Sequence, residues 1–344
     1  MEKFHKAIIF CKTELKGYYR FGDEFQIYPA NFEGMPKSSL QEHHPIVLEY
    51  VVHENEEINY NSEDFDEELK DLRTLAASTL SKQDKIISLL TLCTNHFFFR
   101  YYELTGRWGM PILKENAGKD ANTWSSKWNL PFFHWPEYPE QFKIIKFKNF
   151  SSDELEVKRV KHYDYFFKDP NFDYHIDSEI TITNLIDDAL SAYFEIEDTE
   201  NLKVIDSAIS FVYSAFEMKQ FRKTMSVIAA FTAIETLVNF EFRDLKPEKC
   251  EVCGQLKYQV MKKYRDFLFK YIGENDSNKK KFNAFYKLRS SIVHTGEKLK
   301  TENLFSGLST DEKDKEFLTH MEILQLSKLS ILHWLILNKK TKEN

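Results

Sequence analysis

The sequence predicts an α+β N-terminal domain over residues 1–195 and an all-α helical bundle over residues 196–344. Three observations carry this division. Residues 6–53 are rich in β-branched and aromatic side chains separated by turn formers. An acidic break, EIEDTEN, falls at residues 195–201, and beyond it apolar residues recur at helical spacing. A chain of 344 residues also exceeds a typical single domain.

In the first part, AIIFCK at residues 7–12, YYRFGDEFQIYP at 18–29 with a turn at Gly22 and Asp23, and PIVLEYVVH at 45–53 read as strands of an antiparallel sheet. The acidic stretch 54–68 reads as a solvated connection. Two helices are expected next. One covers residues 65–81 with Leu69, Leu72, Leu75 and Ala76 on one side; the other covers 81–102, with Ser81 as N-cap and Ile86, Leu89, Leu90 and Cys93 on its apolar face. The run HFFFRYYEL is apolar all round, which implies burial on several sides.

Residues 105–141 hold Trp108, Trp124, Trp128, Trp135 and four prolines with little periodicity. Such a segment is either a surface that senses a ligand or partner, or an irregular stretch locked down by its own aromatics. The string ELEVKRVKHYDYFFK at 154–168 interleaves Lys158, Arg159, Lys161 and His162 with aromatics. That suits single-stranded RNA, but a half-exposed strand is the favoured reading. Residues 163–178 read as a loop around Pro170, and 183–194 as a helix with Leu185, Ile186, Leu190 and Tyr193 inward.

The bundle begins with a helix capped by Asp198 or Thr199 and carrying Leu202, Ile205, Ile209, Val212 and Phe216. A second, over 221–242, places Met225, Ala229, Ile234, Leu237 and Val238 in the core with Glu235 among them. A carboxylate on an apolar face requires a partner, and an arginine or a backbone amide of the bundle is the expected one. Cys250 and Cys253 form half of a zinc-knuckle pattern, but no second pair of ligands lies nearby, so thiols shaping a turn are favoured over a metal. A third helix spans 256–272, with Val260, Tyr264, Phe267, Leu268 and Tyr271 inward, and ends at Gly273. Ser309 to Glu312 forms a capping box before a last helix. Its stripe, from Phe317 and Leu318 through Met321, Leu324, Leu329 and Leu332 to Leu335 and Ile336, is broad enough to cover the bundle and leave area for a second subunit.

Between these lies KFNAFYKLRSSIVHTGE, residues 281–297. Phe282, Phe285, Leu288, Ile292 and Val293 follow one helical face, and Thr295-Gly296 supplies a C-terminal stop. Arg289 and His294 stand five residues apart, and His294 falls in the last turn, where a protonated imidazole faces the negative end of the helix dipole. Five residues turn a regular helix by roughly 500°, so the two side chains point about 140° apart unless the turn distorts or a second subunit completes the site.

KLRSSIVHTGE, the upstream helix FTAIETLVNFEF and the insert KCEVCGQLKYQV together resemble the Apea-like branch of the HEPN superfamily, over roughly residues 200–340. The resemblance implies an all-α HEPN bundle that dimerises and, in active members, a metal-independent endoribonuclease that needs no cofactor. Arg289 and His294 from two subunits would then face one cleft. His294 would act as general acid or base while the ribose 2'-hydroxyl attacks the adjacent phosphate, and Arg289 would hold that phosphate. Glu235 and Ser290 would support them. Ser290 departs from the larger polar residue found at this position across the wider superfamily, although serine is usual for this branch. The branch is associated with bacterial anti-phage defence, which implies host RNA as substrate and a phage-derived trigger sensed by the N-terminal domain. The alternative is a non-catalytic HEPN module that binds RNA, nucleotide or protein.

The net charge of −7 argues against a protein coated in positive charge, although a cleft can be locally basic. Four cysteines, only two of them close together, make no disulfide framework. The polar N-terminus and the absence of an 18-residue apolar run imply a cytoplasmic protein with no membrane partner.

Overall fold

The computed structural model describes residues 3–30, 44–53, 67–100, 144–168, 179–246, 248–249, 256–257, 259–303 and 307–342. The chain divides into two compact units that do not follow a single cut. The first comprises Met1–Leu90, His96–Val160 and Asn171–Ile182; the second comprises Thr91–Asn95, Lys161–Pro170 and Thr183–Asn344. The continuous part of the second unit thus starts thirteen residues before the expected start at 196, and the unit recruits two short excursions from the first part of the chain.

In the first unit, strands β1 (Lys3–Cys11), β2 (Tyr19–Phe21), β3 (Phe25–Pro29) and β4 (His44–Val52) form an antiparallel sheet with β5 (Phe98–Phe99), in the order β2-β3-β4-β1-β5. The β2–β3 turn forms where Gly22 adopts φ +49°, and Arg20 braces it by donating to the Gly22 carbonyl at 2.8 Å. Ile9, Phe25, Ile27, Ile46 and Leu48 are buried in the sheet. Gly17 has no room for a side chain: a Cβ there would lie 2.4 Å from the backbone carbon of Glu156, where Tyr18 and residues 155–157 exchange backbone hydrogen bonds.

Helix α1 (Glu67–Cys93) replaces the two helices expected from the sequence. It runs unbroken through Ser81, because no Gly or Pro interrupts it and the neighbouring polar residues are anchored: Lys82 is buried and its Nζ reaches Glu24 Oε2 at 2.9 Å. The Tyr50 hydroxyl also donates to the Thr79 carbonyl. Ile86, Leu89, Leu90 and Cys93 are buried as expected, whereas the side chains of Leu69, Leu72, Leu75 and Ala76 lie outside the described residues. The helix stops at Cys93, and the phenylalanine run turns into β5, which pairs with β1. The tryptophan-rich stretch 105–141 lies outside the described residues. Of the basic string at 154–168, only β6 (Lys158–Val160) is a strand, paired with β7 (Thr181–Thr183). Asp164–Lys168, expected to be loop, forms a π-helical turn with Tyr165 and Phe166 buried.

The second unit contains α2 (Ile186–Phe194), α3 (Thr199–Met218), α4 (Lys223–Glu241), α5 (Val260–Ile272), α6 (Asp276–Thr295) and α7 (Thr310–Lys342). Asp198 caps α3 by accepting from the Asn201 amide at 2.7 Å. The capping box of α7 is present as read: the Glu312 carboxylate accepts from the Ser309 amide at 3.0 Å, and Ser309 Oγ accepts from the Glu312 amide at 3.4 Å. Residues 256–257, expected to open α5, instead form β9 (Leu256–Lys257), paired with β8 (Glu248–Lys249), and Cys250 and Cys253 between them lie outside the described residues. Met225, Val260 and Val293, placed in the core by periodicity, are about half exposed, as expected of residues at helix ends where neighbours are fewer.

The largest difference concerns α7. Its stripe is core first, as read, but burial extends past that face: packed against α2, α3, α4 and α5, the helix is buried almost all round between Ile323 and Leu335. Ser327, Lys328 and Ser330 are buried with the leucines, and Lys328 Nζ donates to the Thr94 carbonyl beneath the rings of Phe216 and Phe166. Gln325 donates to the Phe166 carbonyl at 2.9 Å, and Asn95 donates to the Tyr165 carbonyl at 2.7 Å. These bonds are why residues 91–95 and 161–168 belong to the helical unit. Among the described residues, no helix is long and apolar enough to cross a membrane.

Candidate functional site

Helix α6 carries the Arg-x-x-x-x-His motif. Its start is set by Asn275, whose side chain accepts from the Asn278 amide at 2.8 Å, and its end by Gly296, whose φ of +70° admits the left-handed turn. Phe282, Phe285 and Ile292 anchor it to the bundle. It stays helical through Thr295, so the last turn does not distort to bring the two motif side chains together.

Arg289 points toward α4. Its Nη2 donates to Glu235 Oε2 at 3.0 Å, with the two side chains 23% and 19% exposed. The arginine partner expected for a carboxylate on that apolar face is therefore a motif residue. Beneath this pair lie Tyr264 of α5 and Tyr286 of α6, with ring centroids 5.2 Å apart. Burial, then the charge of Glu235 and then Tyr286, push the Tyr264 hydroxyl far above its ordinary range. Burial and Glu235 also raise the Tyr286 hydroxyl, which Arg289 partly offsets. Tyr264 was legible as an inward residue; its place beside Glu235 was not, because contacts between helices leave no mark in one-dimensional spacing.

His294 lies on another side of α6, exposed. Around it Ser291 Oγ donates to the Glu297 carboxylate and Thr295 Oγ1 donates to the Ser291 carbonyl at 2.6 Å, while the His294 ring makes no hydrogen bond or ion pair to the described residues. Ser290, beside Arg289, is half-buried. A single chain thus holds Arg289 against Glu235 and presents His294 to solvent; it does not bring them together. Among the described residues, no group of three or more His, Cys, Asp or Glu side chains is arranged to hold a metal.

The same unit contains a pair of histidines, 171 residues apart in the chain, that nothing in local spacing joins. His162 Nε2 and His333 Nε2 are 3.0 Å apart. The Tyr271 carbonyl can only accept, so His333 Nδ1 donates to it at 2.6 Å, leaving Nε2 to accept from His162; His162 Nδ1 then accepts from Thr183 Oγ1 at 3.2 Å. Each ring is neutral in this arrangement. Burial and then the neighbouring His333 lower His162 to about 4, and burial followed by Lys223 and Lys219 lowers His320 to about 4. Between pH 6.5 and 4 the unfolded chain therefore binds protons that the folded chain does not. Stability is expected to be full above about pH 6.5 and to fall as the pH drops toward 4. Melting temperatures across that range test this, and His162→Asn is expected to flatten the slope.

Comparison with known proteins returned no matching family model, no matching curated protein and no matching solved structure.

Proposed function

We propose that the chain is a metal-independent endoribonuclease of the HEPN type, in which Arg289 of one copy and His294 of another complete a shared cleft in a homodimer. The observation that carries this reading is the division of labour on α6: Arg289 is pre-oriented by Glu235, while His294 stands exposed at the helix end, where a partner can reach it. RNA supplies its own nucleophile. The 2'-hydroxyl gives its proton to the His294 imidazole, attacks phosphorus and expels the 5'-oxygen, which takes a proton back from that imidazolium; the products are a 2',3'-cyclic phosphate and a 5'-hydroxyl. Arg289 balances charge on the pentacoordinate phosphorus through paired N–H donors. Lys287, Lys298 and Lys300 are exposed on and just after α6, which gives a locally basic surface on a chain of net charge −7. The sequence resemblance supports extending this reading to a cytoplasmic protein that cuts host RNA in anti-phage defence, with the first unit restraining the nuclease until a phage-derived trigger arrives.

The Glu235 carboxylate favours a second reading, a non-catalytic module binding RNA, nucleotide or protein, because it already neutralises Arg289 within one chain. Incubating the full-length protein with total and transfer RNA in EDTA separates the two. Cleavage leaving cyclic phosphate ends, lost in folded His294→Ala, supports the nuclease; RNA retention without cleavage at any protein concentration supports the binding module.

A further inference from the structure

We infer that an internal water molecule joins the Tyr264 hydroxyl to Glu235 Oε1 and makes Tyr264 a positioning residue for Arg289. Two polar atoms at the junction of α4, α5 and α6 are buried without a hydrogen-bond partner among the described residues: Tyr264 Oη, a donor, and Glu235 Oε1, an acceptor. Each alone is costly to bury, the carboxylate oxygen more so. The two are complementary, one a donor and the other an acceptor, yet they make no direct bond. One water, accepting from the phenol and donating to the carboxylate, satisfies both, the usual way an apolar interior completes such a pair.

The bridge has a consequence for Arg289. Glu235 engages the guanidinium through Oε2 alone. A carboxylate held at one oxygen can still rotate; anchoring Oε1 to the floor of the site fixes its plane and with it the direction of Arg289. Tyr264 itself is 1% exposed, with the Phe231 ring 6.0 Å and the Tyr286 ring 5.2 Å away, so it cannot reach a bound phosphate and acts through its neighbours. The positioning role rests on the proposed nuclease; the water does not.

A double-mutant cycle on the full chain tests the bridge without RNA. Tyr264→Phe is expected to lower the melting temperature of the second unit by about 2–4 °C, the shift of roughly one hydrogen bond in a unit of that size. Combined with Glu235→Met, which removes the acceptor at similar length, the loss should be smaller than the sum of the two singles. If Tyr264→Phe leaves stability unchanged or raises it, and the two substitutions add, the hydroxyl sits dry and the inference is overturned. In the cleavage assay, Tyr264→Phe is expected to lower kcat about five- to tenfold with KM unchanged, the rate equivalent of one hydrogen bond. A coupled melting cycle with unchanged kcat keeps the water and overturns the positioning role. A coupled cycle in a protein that cuts no RNA counts against the nuclease and not against the bridge.

Discussion

Arg289→Ala is expected to reduce RNA cleavage by about 10²–10³-fold in kcat, the cost of removing a pre-organised donor from a developing phosphorane. Arg289→Lys should recover little of it. A guanidinium offers five N–H donors in a fixed fork and commits one Nη2 bond to Glu235, which leaves its other edges for two phosphate oxygens. A lysine ammonium is a point charge that Glu235 would draw to itself. His294→Ala should cost a similar factor, and the double variant little more, because residues acting as a unit are not additive. Complementation gives the sharper result. α6 is regular from Asp276 through Thr295, so Arg289 and His294 of one chain diverge by about 140°, and on the proposed reading the working pair comes from two chains. Mixed dimers of Arg289→Ala and His294→Ala chains contain one intact pair and should regain activity. If the mixed dimers form and stay inactive, the shared cleft is ruled out.

What the sequence revealed follows the physics of each element. The strands, the turn at Gly22, the Asp198 cap, the Ser309 capping box and the Gly296 stop depend on residues close together in the chain, and all stand where local chemistry placed them. The errors arise where distant contacts decide. Ser81 can cap a helix, but Lys82 finds Glu24 and the helix continues. The phenylalanine run reads as buried helix, but the edge of β1 offers unpaired backbone groups and takes Phe98 and Phe99 as a strand. In α7 the apolar stripe was visible and the burial of its other face was not, because Ser327, Lys328 and Ser330 look like a solvated side until Thr94 and the rings of Phe166 and Phe216 cover them. The site shows the same split: Arg289, His294 and the need of Glu235 for a partner were legible, whereas Tyr264 as the floor and the His162 and His333 pair arise only from packing.

Glu49→Ala is expected to destabilise the first unit by roughly 3–5 kcal/mol, as breaking a buried charge network does. Glu49 is the one charged residue within the apolar strand β4, 1% exposed, and the strand register sets Lys6 of β1 and Gln26 of β3 directly beside it. Its Oε1 lies 3.3 Å from Lys6 Nζ and accepts from the Tyr28 hydroxyl at 2.7 Å. Oε2 accepts from Gln26 Nε2 at 2.7 Å and from the Lys148 amide at 2.8 Å, which ties the segment from residue 144 onto the sheet. There the Lys148 ammonium rests over the rings of Tyr28 and Phe150, and Tyr18 stacks on Phe150 with centroids 3.9 Å apart. Removing the carboxylate leaves four donors facing a buried gap, and the mid-point of urea unfolding should fall accordingly. Glu49→Gln should lose somewhat less, because it fills the site and keeps one of the two acceptor oxygens, but its NH2 is a donor and leaves the groups facing the other position unpaired. The decisive variant is Glu49→Leu with Lys6→Met, which removes both charges together. If desolvation of the pair offsets its attraction, the double variant will sit close to the wild type while Glu49→Leu alone does not. If the double variant is as weak as the single, the stabilisation resides in the Gln26, Tyr28 and Lys148 bonds rather than in the ion pair, and Glu49 is chiefly the peg on which that segment hangs.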